Sequence, residues 1–149
     1  MKEIFKDEVV INGSVNDVWS YFIDIEQNGP KWMPGISSIS VENKKLSEGN
    51  KITFTTRGKQ QSSTVTSYKE NDYITLTSVQ GNFKADYRYS FNKHNENQTS
   101  LLLHATCEAE GIYKLLSPLI RLAIKKADGN QLKQFKEAFE MQMKNRPML

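Results

Sequence analysis

Cysteine is almost missing from this sequence: Cys107 stands alone in 149 residues. Neither an internal disulfide nor a multi-cysteine metal site can staple the chain, so its stability must come from packing. Histidine is nearly as scarce. Of the two, His94 falls in the expected Lys93–Gln98 hairpin tip, and His104 shares the outward parity of Leu102, Thr106 and Glu108, so neither suits metal ligation or catalysis. No run reaches the roughly 18 apolar residues needed to cross a bilayer. The start, Met1 to Glu8, also lacks the apolar centre of an export signal, so a cytoplasmic protein without stable membrane insertion is expected. Neither a glycine-rich phosphate loop nor a G-x-S-x-G elbow is present, which removes the usual parts of nucleotide hydrolysis and esterase chemistry.

A surplus of one charge sign is missing too. Lys and Arg number 20 against 17 Asp and Glu, a formal charge of +3, and the two signs interleave along most of the chain. A nucleic-acid surface would cluster its basic residues with aromatics between them. The densest basic stretch, Arg121, Lys125, Lys126, Lys133 and Lys136, also holds Asp128 and Glu137, and reads as a solvated helix face. No cofactor and no nucleic-acid partner is expected.

The length fits one domain spanning residues 1–149. A first strand is expected over Ile4–Ile11, ending at the turn Asn12-Gly13-Ser14. Ser14 with Asp17 three residues on has the capping-box spacing of a helix start. Val15, Val18, Trp19 and Phe22 then share one helical face. That helix is expected to stop before Gly29-Pro30, with Trp32-Met33-Pro34-Gly35 forming a second, turn-rich segment.

From Ile36 to Ala109 the apolar period becomes two. Strands are expected near residues 37–43, 50–57, 61–69, 73–79, 82–92 and 99–108, joined by connections short enough for hairpins, so consecutive strands pair antiparallel. Successive strand residues point to opposite faces. Phe83, Ala85, Tyr87, Tyr89 and Phe91 therefore share one side, with Lys84, Asp86, Arg88 and Ser90 on the other. By the same parity Ile52 and Phe54, Ile74 and Leu76, and Leu101, Leu103, Ala105 and Cys107 face inward. One side is apolar and needs a cover, which Leu132, Phe135, Phe139 and Met143 supply at helical spacing. Upstream, Ser117-Pro118 reads as a helix start, with an earlier turn over Tyr113 to Leu116 left open, and Asp128-Gly129-Asn130 either kinks one helix or separates two. The residues Leu115 to Ile124 spread apolar side chains around roughly 200° of the helix, more than a surface helix needs. This arc is expected to be sandwiched between sheet and loops, or else to form a dimer contact or the lip of an entrance.

The segment Val9-Val10-Ile11-Asn12-Gly13-Ser14-Val15-Asn16-Asp17-Val18-Trp19 resembles the first strand and helix start of the START-related (SRPBCC, helix-grip) superfamily. Lys31-Trp32-Met33-Pro34-Gly35-Ile36 resembles its tryptophan-centred turn, Gln98-Thr99-Ser100-Leu101 the start of its last strand, and Leu132 to Glu140 its closing helix. The nearest subgroup is the polyketide cyclase/dehydrase and lipid-transport-like family. Two departures stand out: Ser14-Val15 where a proline is frequent, and the Asp128-Gly129-Asn130 break. The resemblance implies an α+β helix-grip fold, with a curved antiparallel sheet wrapped around a long C-terminal helix and two short helices after the first strand.

That fold implies a cavity for a small hydrophobic ligand such as a lipid, quinone or polyketide. The residues expected to line it are Trp32, Phe54, Leu76, Tyr87, Tyr89, Leu103, Phe135 and Phe139. Binding or transport without catalysis is the leading reading. Two alternatives stay open: a cyclase or dehydratase using Tyr87 or Tyr89 as proton donor, and a chaperone-cofactor-like protein whose arc from Leu115 to Ile124 meets a partner or forms a homodimer. Inward-facing Cys107 reads as a small buried hydrophobe.

Overall fold

The computed structural model describes residues 2–145; Met1 and residues 146–149 lie outside the described residues. The strands are β1 (Lys2–Asn12), β2 (Ser38–Val41), β3 (Lys51–Thr56), β4 (Lys59–Lys69), β5 (Tyr73–Gln80), β6 (Phe83–Asn95) and β7 (Gln98–Ala109). They form one curved 7-stranded sheet in the order β1-β7-β6-β5-β4-β3-β2, and every pairing is antiparallel. Strands β2 to β7 follow one another as a meander; β1 returns to pair with β7. The expected Lys93–Gln98 connection is shorter than the sequence implied, because β6 runs through His94 to Asn95.

Alternation sets the inner face. Across β6 and β7, Ala85 lies opposite Cys107, Tyr87 opposite Ala105, Tyr89 opposite Leu103 and Phe91 opposite Leu101. A register shift between Val65 and Ser67 breaks strict alternation in β4. Val65 pairs with Leu76 and Tyr68 with Ile74, so two residues three apart in sequence serve the same face.

Two short helices follow β1: α1 (Val15–Ile23) and α2 (Ile25–Trp32). The Ser14 side chain caps α1 by accepting from the Asp17 amide at 3.2 Å. The helix begun at Ser14 does stop before Gly29-Pro30, at Ile23, but a second helix, α2, runs straight through that pair. Tertiary burial overrides the local signal here. Asn28, Gly29 and Trp32 are all buried, the Asn28 amide donates to Tyr21 O at 3.1 Å, and a Cβ on residue 29 would lie 2.3 Å from Ile39 Cδ1. A larger residue at 29 would have to displace the end of the Ile39 side chain, so glycine suits this close approach of α2 to β2.

The C-terminal part forms α3 (Ile112–Asp128) and α4 (Gln131–Lys144). Ser117-Pro118 is not the start: α3 begins after Gly111, whose φ of 62° makes the turn out of β7, and Ser117 is its one buried residue. Gly129-Asn130 separates the two helices while keeping Gly129 in right-handed helical geometry (φ −65°, ψ −16°), so α4 continues α3 across a kink.

An aromatic cluster fills the space under α4. Phe135 has ring centroids 5.5 Å from Tyr21, 6.0 Å from Phe22 and 5.0 Å from Trp32, and Phe22 lies 4.8 Å from Tyr89. Of the apolar arc of α3, Ile120 and Ile124 pack against the core, while its leucines are left uncovered. Leu115 is 82% exposed, Leu119 69% and Leu122 65%, which overturns the sandwiched reading. Among the described residues no helix is long and apolar enough to cross a membrane.

Candidate functional site

The interior is packed at one end and open at the other. A cavity of about 370 Å³ lies between the inner face of β3 to β6, the turn after α2, and the α3–α4 junction. That volume sits at the lower end of the range for small-molecule sites. Its apolar wall comes from Met33, Pro34 and Ile36 on the turn and from Phe54 and Leu76 on the sheet. Gln61, Ser63 and Ser78 add polar atoms along β4 and β5, and Tyr87, Tyr89, Asp128 and Gln131 close it against the junction.

The junction and the two tyrosines form one unit. Tyr87 and Tyr89 are two apart on β6, so both rings point inward. The Tyr87 hydroxyl donates to Asp128 Oδ2 at 2.6 Å, and the Tyr89 hydroxyl donates to Gln131 Oε1. Asp128 ends α3 and Gln131 begins α4, so the break in the helix is where sheet and helix hydrogen-bond across the interior. Glycine between them is required by contact: a Cβ on residue 129 would lie 2.6 Å from the Lys125 carbonyl oxygen.

Electrostatics follow from burial. Burial pushes the Asp128 carboxyl above its ordinary range, and the Tyr87 hydrogen bond pulls it partly back. Burial, then the neighbouring Asp128 charge, drives Tyr87 and Tyr89 far above the usual phenol range. Both hydroxyls therefore stay protonated and act as hydrogen-bond donors. A phenol held this firmly is also a poor proton donor in the catalytic sense. Burial likewise raises the Cys107 thiol, consistent with an inert packed side chain. Among the described residues no group of three or more His, Cys, Asp or Glu could hold a metal. His104 faces outward, with Nε2 2.9 Å from Glu3 Oε1.

Of the eight residues singled out in the sequence, Phe54, Leu76, Tyr87 and Tyr89 line the cavity. Trp32, Leu103, Phe135 and Phe139 do not; they are fully buried in the packed half, behind the cavity wall. Sequence reasoning missed Asp128 and Gln131 as site residues. A signal was there: Asp128 continues the buried stripe Leu132, Phe135, Phe139 one step back, so a carboxylate occupied a position that helical spacing reserved for the interior.

No family model matches the chain, and no curated protein matches it significantly. Solved structures do. BexL, a di-domain ARO/CYC protein from the BE-7585A biosynthetic pathway, superposes with a TM-score of 0.79 over 98% of this chain at 13% identity, and the chain spans 48% of BexL. Ara h 8.0201 gives a TM-score of 0.66 at 17% identity, covering 95% of this chain and 97% of its own. A START superfamily protein from Mycobacterium smegmatis gives 0.64 at 20% identity, covering 94% and 96%. The chain has the helix-grip fold of the START-related superfamily. At these identities the helix-grip likeness carries architecture alone; chemistry has to be argued from the cavity.

Proposed function

We propose that this helix-grip chain binds and carries a small, largely hydrophobic molecule in the cavity between β3–β6 and the α3–α4 junction. One observation carries the reading: the packed aromatic half stops short, leaving a 370 Å³ space with apolar walls and a polar end made by Tyr87, Asp128, Tyr89 and Gln131. Small-molecule sites commonly combine an apolar lining with a few fixed polar groups that orient the ligand. The cyclase or dehydratase alternative draws on the likeness to ARO/CYC proteins, but the raised tyrosine hydroxyls favour orientation of a ligand over proton transfer to it.

Two measurements test the proposal. Native mass spectrometry of freshly purified protein is expected to show a co-purified small molecule. Replacing Ser63, a half-buried lining residue, by Phe is expected to fill the space and remove that adduct while leaving the melting temperature within a few degrees. An identical adduct on the Ser63→Phe variant would place the ligand elsewhere.

A further inference from the structure

We infer that the cavity selects its ligand by charge, accepting an amphiphile whose polar end is a protonated amine and rejecting one that ends in a carboxylate or phosphate. This rests on the carrier reading and adds the ligand's class. Asp128 is the one formally charged residue among those lining the cavity; no Lys, Arg or His joins it. Among the described residues it makes no ion pair, and only the Tyr87 hydroxyl donates to it. The two lysines nearest in sequence, Lys125 and Lys126, are exposed.

Carboxylates taken out of water are ordinarily matched by a cation or by several N–H donors. Asp128 has one neutral donor, so its charge is offset by nothing on the protein side. An ammonium supplies what is missing, because it brings positive charge and three donors and needs no donor in return. Oxygens of Ser63, Ser78 and Gln131 line the same cavity and can accept its remaining hydrogens. A carboxylate or phosphate head would instead meet Asp128 with no cation beside it, and like charges juxtaposed in a shielded site repel strongly. The apolar tail would lie along Phe54, Leu76 and Met33.

Displacement of bound Nile red, a neutral apolar dye, by n-octylamine, n-octanol and octanoate tests this on the full chain at neutral pH. Octylamine is expected to displace the dye at a concentration about tenfold or more below octanoate, with octanol between them. Asp128→Asn keeps a side-chain carbonyl to accept from Tyr87 and is expected to bring the three within about threefold. Gln61→Lys changes an exposed lining residue and does not depend on the Asn variant folding; it is expected to improve octanoate by about tenfold. Octanoate matching octylamine in the native chain, or an amine preference that survives Asp128→Asn, would overturn the charge inference and leave the carrier reading standing. A native chain that takes up no Nile red would overturn both.

Discussion

Truncating one phenylalanine in each half of the interior distinguishes a packed wall from an open one. Phe135 is fully buried, with aromatic rings from Tyr21, Phe22, Trp32 and Phe139 at centroid distances of 5.0 to 6.5 Å. Phe135→Ala removes a ring from close packing that cannot collapse around the void, and such changes cost about 3–5 kcal/mol. For a chain of this size that is a fall of roughly 10 °C in melting temperature. Phe54 is half-buried and already borders empty space. On the cavity side its neighbours have no contacts to lose, so Phe54→Ala should cost about 1 kcal/mol, or roughly 3 °C. Calorimetry or circular dichroism on both variants reads the difference directly. Equal losses, or the larger loss at Phe54, would mean that the space beside Phe54 is filled in solution and that the division of the interior is wrong.

Other perturbations bear on the junction and the exposed helix. Because burial raises the Asp128 carboxyl in the folded state, the native form holds that proton to higher pH than the unfolded chain, and this group's contribution to stability is lost as pH rises through its folded value. Asp128→Asn should therefore be more stable relative to the native chain at neutral pH than at pH 3, and a difference that is flat with pH or runs the other way would contradict the buried carboxylate. Gly129→Ala gains about 1 kcal/mol of helix propensity, but its methyl would sit 2.6 Å from the Lys125 carbonyl oxygen. A net drop in melting temperature together with weaker dye binding is expected, and a stabilised variant with unchanged binding would show that the kink is not needed. Leu119 is 69% exposed, so Leu119→Lys should shift stability by no more than about 0.5 kcal/mol. A loss of several degrees would show that something covers the α3 arc.

The strands were legible because alternation is a local property: the odd residues of β6 from Phe83 to Phe91 declare their face without reference to anything distant. The departures arise where the local residue pattern is overridden or carries no marker. Gly29-Pro30 looks like a helix stop, yet the fit of α2 against Ile39 keeps the helix going. Ser117-Pro118 looks like a helix start, yet the Gly111 turn begins α3 earlier. The bulge after Val65 shifts the phase of β4 with no marker in its side chains. At the site, strand parity correctly turned Tyr87 and Tyr89 inward, and their partners lay 41 and 42 residues further along. Nothing local says which helix residue a hydroxyl will reach. Trp32, Leu103, Phe135 and Phe139 face the same interior as the cavity residues, and periodicity cannot tell a side chain that fills a space from one that borders it.

A Nile red titration of the native chain beside Ser63→Phe puts the cavity itself to the test. Saturable uptake of one dye per chain, lost in the Phe variant at unchanged secondary structure, is the result expected. Uptake that is absent from the native chain, or equal in the two proteins, would mean that the space beneath the Asp128–Gln131 junction is not a binding site.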